Sequence, residues 1–405
     1  MTARNSTSAR AWRMLAIGTA AHTASTVFVA APAFLIPLLH SERGLSLAQA
    51  GLLAAAPTLG LVLTLIAWGA LVDRLGERWA MTAGLTLTAL AAGAAVLAPG
   101  YGTLGLFLVL GGMAAGSTNS ATGRVVVGWF PPDRRGLAMG VRQMSQPLGT
   151  TVAALTIPGL AASFGIGAAL MLPAISCAVF AVACWLGIEN PPRPAARPAR
   201  ASGAVPAASG NPYRGSWFLW RIHAVSVLLV IPQYTLSTFG LVWLISGRGW
   251  PDLAAGVLVG AAQFLGALGR IAVGHLSDRL GSRVRPIRWV SVAAGAAMLA
   301  LGGADWADWG AAAAVLLLVA TTISVADNGL AFTSVAEVAG PGWSGRALGV
   351  QNTGQFIAAA AVGPVVGLLI GALGYPLAFA LTALAPAAAL PLIPADAEER
   401  RLRAR

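Results

Sequence analysis

Charged side chains are scarce in this sequence, and the few that fall inside its apolar stretches are the ones able to do chemistry. Arg124, Arg142, Arg270 and Asp327 lie well inside such stretches, with Glu337 near the end of another. A charge at the centre of a membrane helix costs roughly 2.5–3.5 kcal/mol on insertion scales, so each needs a partner or a wet cavity. A guanidinium presents a planar fork of donors that suits carboxylate-like anions, so Arg142 and Arg270 facing a cavity would favour an anionic ligand. Structural ion pairing is the alternative for both. Asp327 is the candidate for proton coupling, because the proton affinity of a buried carboxyl shifts as its charged neighbours move. A permanent Asp327–Arg270 pair is the plainer alternative. Arg124 is expected to pair with Asp73. Gln146 shares a face with Arg142, and Asn119, Asn328, Gln351 and Gln355 could bind ligand or join helices. Gln233, Gln263 and Asn352 could likewise bind ligand or join helices, while His22 and His223 read as polar cavity or helix-end residues.

The elements that position these residues follow from composition. The chain is 57% hydrophobic and 10% charged, with mean hydropathy +0.74, outside the range of ordinary soluble domains. About twelve stretches are long enough to span a bilayer: 12–39, 46–71, 79–98, 102–130, 136–164, 166–188, 216–246, 252–276, 286–303, 309–338, 345–373 and 375–393. They do not alternate as barrel strands would, so the fold class is an all-α polytopic membrane protein with twelve transmembrane helices. The net charge of +12 has a topological cause rather than a nucleic-acid partner: all 26 basic residues are Arg, and 21 of them fall on one side. Arg43 and Arg248 fall on the other. That bias puts both termini in the cytoplasm, in a cell inner membrane. The run Met14–Leu39 is too long for a signal core and reads as an uncleaved first helix.

The chain is also duplicated. Gly69–Arg78, GALVDRLGER, returns 205 residues later as Gly274–Arg283, GHLSDRLGSR. Farther on the shift is 209, where Thr118 and Asn119 meet Asp327 and Asn328, and Gly140 and Val141 meet Gly349 and Val350. The organisation expected is a six-helix bundle at 1–188, a cytoplasmic linker at 189–215 rich in Pro, Ala and Arg, a second six-helix bundle at 216–394, and a basic tail at 395–405. Spacings such as Gly112 to Gly116 let helices pack closely within one subunit, so a monomer is expected. Cys177 and Cys184 read as small buried apolar residues. No phosphate loop or metal-spaced cluster appears, and no cofactor or metal is expected.

With both loops fitting the pattern G-x-L-x-D-R-x-G-x-R at half-chain spacing, the sequence resembles the major facilitator superfamily over practically its whole length. That resemblance implies two six-helix bundles that expose a central site to each side in turn, with helices 1, 4, 7 and 10 prominent in the cavity. The stretch RGLAMGVRQMSQPLG, Arg135 to Gly149, is similar to the branch holding cyanate-type and nitroimidazole-type permeases. Two departures weaken a drug/proton antiporter: no Arg precedes the run Gly111–Gly116, and Gly149–Gly159 lacks a Gly-Pro pair. Asp73 and Asp278 lie where helix ends converge, and a carboxylate there can accept bonds from free helix N-terminal amides or from Arg. Arg74, Arg78, Arg279 and Arg283 can pair across to neighbouring helix ends. Together with Gly69, Gly76, Gly274 and Gly281 they read as gating loops. The function expected is a secondary transporter moving a small anionic organic solute, with protons as a candidate coupling ion. The rivals are a multidrug or metabolite efflux antiporter and, from another class, a membrane-embedded sensor or enzyme.

Overall fold

The computed structural model describes residues 2–41, 44–191, 211–214 and 216–403. Arg43 and most of the linker, with Arg193, Arg197 and Arg200, lie outside the described residues. Helices are the only regular elements among the described residues, as expected of a chain whose backbone polar groups must be satisfied without water. In order they are α1 (Thr2–Phe34), α2 (Ile36–Ser41), α3 (Leu47–Leu75), α4 (Glu77–Val96), α5 (Tyr101–Trp129), α6 (Arg135–Arg142), α7 (Ser145–Gly187) and α8 (Phe218–Val242). There follow α9 (Asp252–Leu280), α10 (Val284–Trp306), α11 (Gly310–Ser324), α12 (Asn328–Ala339), α13 (Ser344–Thr382), α14 (Leu384–Ala389) and α15 (Asp396–Arg403).

Among the described residues, ten helical runs are long and apolar enough to cross a membrane. Two of the ten, Pro132–Gly187 and Ser344–Leu392, are 56 and 49 residues long, more than twice the ~20 that one crossing needs. Each is interrupted once by a glycine outside helical geometry, Gly165 at φ 84° and Gly374 at φ 78°. Those are the positions that separate the expected stretches 136–164 and 166–188, and 345–373 and 375–393. Only glycine adopts such a φ cheaply, so the breaks are written in the sequence.

The fold forms two compact units. The first comprises residues 1–131, 144–216 and 339–352, and the second 132–143, 217–338 and 353–405. In the first unit one apolar cluster gathers Phe28, Leu35, Leu53, Leu108 and Ile157, and another gathers Met14, Met81, Val125, Cys177 and Cys184. Both cysteines are buried with free thiols. In the second unit Leu236, Trp243, Met298, Leu317 and Phe379 form the core, with Trp243 edge-on to Phe379 at 5.8 Å.

Helix contacts in the first unit are set by missing side chains. A Cβ on Gly112 of α5 would sit 1.9 Å from the Pro57 carbonyl oxygen of α3, and one on Gly60 would sit 2.0 Å from that of Val109. The two helices therefore cross backbone to backbone. Replacing Gly112 by Val is expected to cost at least about 1–3 kcal/mol, whereas Gly159, with nothing within 4 Å of its Cβ position, should accept Val with little loss. Thermal unfolding of the two purified variants in one detergent checks both expectations.

Candidate functional site

Each copy of the duplicated loop holds a buried carboxylate against the start of another helix. In the first unit Gly76, at φ 88°, is the one residue separating α3 from α4. That turn leaves Asp73 at the end of α3, where its carboxylate accepts from the amides of Gly345 at 2.8 Å and Arg346 at 3.0 Å. These are free N–H groups of the first turn of α13, the positive end of its dipole. Arg124 of α5 completes the set, donating to Asp73 at 3.2 Å and the Val72 carbonyl at 2.7 Å and pairing with Glu77 at 3.1 Å. The approach is possible because Gly69 has no side chain: its Cβ would lie 2.2 Å from the Gly345 carbonyl oxygen.

The second unit builds the same device from different cations. Asp278 near the end of α9 accepts from the amides of Gly136 at 2.9 Å and Leu137 at 2.8 Å, in the first turn of α6. Gly274 provides the close approach, since its Cβ would lie 2.3 Å from the Gly136 carbonyl oxygen. Here the guanidinium comes from the loop itself. Arg283, 1% exposed, pairs with Asp278 at 2.5 Å and with Glu337 of α12 at 3.1 Å, and donates to the Pro132 carbonyl at 2.7 Å. Glu337 is also approached by Arg135 at 3.6 Å and Arg403 at 3.1 Å. The repeat explains the exchange of cations: the counterpart of Arg124 is Thr333, which carries no charge. The loop arginine of the first unit does something else, stacking over Trp185 at 4.3 Å. Arg74 and Arg279 are exposed.

The second unit also holds the buried polar cluster. Two helices break beside it: α6 ends at Arg142 before α7 begins at Ser145, and the turn Val325–Asp327 separates α11 from α12. Arg270 of α9 meets a backbone carbonyl at each break, with Nε 3.1 Å from the Val325 oxygen and Nη1 2.9 Å from that of Gln143. Arg142 is fully buried, bonded to the Gln143 side chain, and its guanidinium lies 5.3 Å from the Phe332 ring centre. Both guanidiniums bond Gln143, Arg142 at its side chain and Arg270 at its carbonyl, so two like charges share one residue and repel each other. Asp327 is 1% exposed and feels the charge of Arg270, yet no other described residue donates a hydrogen bond to its carboxylate. Its carbonyl opens α12 by accepting from Leu330 at 2.8 Å and Ala331 at 3.0 Å.

Neutral groups extend the cluster. Asn328 donates to Gln233 at 2.9 Å, and Gln355 donates to Asn328 at 3.0 Å and Ser226 at 2.6 Å. Arg142, Arg270, Asp327, Asn328 and Gln355 thus come together in the second unit, while Asn119, Gln146 and Gln351 belong to the first. In the first unit His22 is bonded through Nδ1 to Ser145 at 2.8 Å. Glu77 and Ser226, both members of these networks, went unread in the sequence. Glu77 had a signal, because it occupies in GALVDRLGER the place of Ser282 in GHLSDRLGSR.

Comparison with known proteins agrees with this architecture. The sequence model of the Major Facilitator Superfamily matches residues 15–364. The chain belongs to that superfamily. It is 50% identical over 384 residues to an uncharacterized MFS-type transporter of Mycobacterium tuberculosis, covering 95% of this chain and 84% of the relative. A probable nitrate/nitrite transporter of the same species is 28% identical over 252 residues, 60% of each chain. Among solved structures, the proton:xylose symporter XylE superposes with a TM-score of 0.74 over 95% of both chains at 14% identity. This protein is accordingly a multi-pass membrane transporter of the superfamily.

Within that fold Arg270 carries a double load, because its fork satisfies two broken helices at once. Arg270→Lys keeps the charge but cannot reproduce both carbonyl bonds. It is expected to lower stability by about 1.5–3 kcal/mol, the worth of a charged hydrogen bond, read as a lower melting temperature of the purified protein.

Proposed function

We propose that this transporter moves a small anionic organic solute by alternating access, with Arg142 and Arg270 as the groups that meet the anion. The observation that carries the reading is the burial of two mutually repelling guanidiniums in one unit, beside the backbone groups of two broken helices. An arriving carboxylate would relieve that repulsion and fit the fork of either group. Broken helices next to a buried charge are what transporters of several folds use to line a site. The nitrate/nitrite relative supports an anion as cargo.

In the same reading the chain crosses a cell inner membrane twelve times, as six-helix bundles at 1–188 and 216–394 joined by the linker 189–215. The two long runs each cross twice, turning at Gly165 and Gly374. Both termini lie in the cytoplasm, on the strength of the arginine bias. The Asp73 and Asp278 networks are then inner gates, closed when each carboxylate holds the amides of α13 or α6 and open when it lets go. Asp327 is the proton-coupling residue: its carboxylate is buried beside Arg270, and an anion bound to that arginine would weaken the hold of the cation on it. The protein works as a monomer without a cofactor.

Counterflow in proteoliposomes tests this, once a thermal-shift screen of small acids has supplied a cargo. Arg142→Gln and Arg270→Gln are each expected to reduce exchange of the anion about a hundredfold, the loss of one charge-assisted contact of ~2–3 kcal/mol. Unchanged exchange in both would remove the anion from the reading. Asp327→Asn should keep counterflow while losing accumulation driven by a pH gradient, and accumulation surviving that change would remove proton coupling.

A further inference from the structure

We propose that the residues following each six-helix stretch are working parts of the duplicated loops, with Asn190 and Glu399 as positioning residues that hold the loop backbones at Arg78 and Arg283. The proposal rests on the reading of those loops as gates, and goes beyond it in assigning the gate a third component.

The observation is that the duplication continues past the last helix of each half. In the first unit Arg13 of α1 pairs with Glu189 at 2.9 Å, and the next residue, Asn190, accepts through Oδ1 from the Arg78 amide at 3.2 Å. In the second unit Arg221 of α8 pairs with Glu398 at 3.3 Å. There the next residue, Glu399, accepts from the amides of Arg283 at 3.0 Å and Val284 at 3.3 Å and from the Ser282 hydroxyl at 3.3 Å. The shift is 208 between the arginines and 209 between the acceptors, matching the 209 of the preceding helices. A tether from the first helix of each half thus delivers one acceptor to the free amides that open α4 and α10.

The two copies differ in what surrounds the acceptor. Asn190 is exposed and packs over Gly76, whose Cβ position lies 2.5 Å from the Asn190 side chain. Glu399 is fully buried and rides on α15, a helix with acids in its first turn and arginines in its last, as the helix dipole favours. This segment is therefore more than a solvated strip of charge. Arg403 of the same helix donates to the Gly281 carbonyl at 3.4 Å and pairs with Glu337 at 3.1 Å, and Arg285 reaches Asp396 at 3.2 Å, so α15 contacts the chain on both sides of Arg283. Burial pushes the Glu399 carboxyl above its ordinary range in spite of the amides of Arg283 and Val284 and the charge of Arg403, with Glu337 adding to the rise. Negative charge is thus a burden at this position, and hydrogen-bond acceptance is what the loop requires. Asn190 supplies the same acceptance with a neutral amide.

Hydrogen–deuterium exchange on the full-length purified protein separates a positioning role from a local cap. With Glu399→Ala, amides of 282–285 are expected to exchange at least about tenfold faster, as loss of a charged hydrogen bond allows. The decisive peptide is 136–137, whose amides touch Asp278 and not Glu399, and which should exchange about threefold faster because Arg283 no longer holds Asp278. Glu399→Gln should restore both peptides to near-native rates. Glu398→Gln, which loosens the tether and leaves the cap in place, is the milder variant if the alanine protein does not fold, with the same two peptides moving by a smaller factor. No change at 136–137 with Glu399→Ala, or a glutamine variant as fast as alanine, overturns the proposal. Faster exchange at both peptides with unaltered counterflow would uphold the positioning role and remove the gate reading beneath it.

Discussion

An acceptor set against the unbonded amides at the start of a helix is the interaction on which this structure depends. A helix leaves about four N–H groups unsatisfied at its beginning, and near a membrane there is little else to bond them. Asp73 takes two from α13, Asp278 two from α6, and Glu399 one from α10 and one from Arg283 just before it. Each contact joins segments far apart in sequence through directional bonds rather than apolar packing. Directional bonds either form or do not, which is the property that the alternating access proposed above requires of such contacts. The glycines beside the aspartates belong to the same device, because a carboxylate reaches the amides only if the backbones nearly touch.

The second constraint is the fate of carbonyls where helices break. Unbonded oxygens inside a membrane cost several kcal/mol each, and at Gln143 and Val325 one guanidinium meets both. The fork of Arg270 suits this, having donors that point in different directions from one rigid plane. A charge used for structure is still a charge, however, and Arg142 and Asp327 lie within its field. The alternatives for Arg270, structural bonding and a part in the site, are therefore compatible, and the helix breaks explain why. Fixing the guanidinium to backbone makes it a rigid reference point for whatever ion approaches.

Much of this was legible in the sequence because repetition made it so. The helical class and the two loops follow from hydropathy and from two constant shifts, and the divisions between 164 and 166 and between 373 and 375 fall on the glycines that break the two long helices. The Arg124–Asp73 pair was legible too, as a submerged cation needs a carboxylate and few exist. The partner of Glu337 was not, because Arg283, Arg135 and Arg403 converge on it from three separate places. The breaks near Asp327 and Arg142 leave no mark in composition either: Ser324, Val325 and Ala326 continue a helical pattern as readily as they end one. What ends it is the tertiary offer of Arg270 to a freed carbonyl, a term that propensity does not contain.

The differences between the halves carry as much information as the likeness. The loop of the first unit has its own acid, Glu77, and borrows its cation from α5; the loop of the second has its own cation, Arg283, and borrows acids from α12 and α15. Each position therefore ends with a similar mix of charges by a different route. Selection on the sum rather than on each residue would produce that pattern, since the electrostatic work of making or breaking the loop contacts depends on all charges within reach. The consequence is unequal stiffness. Arg283 is 1% exposed and bonded on several sides, whereas Arg78 rests on the surface of Trp185. Buried pairs lose more when one partner is withdrawn than exposed ones do, so removing Arg283 costs the second loop more than removing Arg78 costs the first.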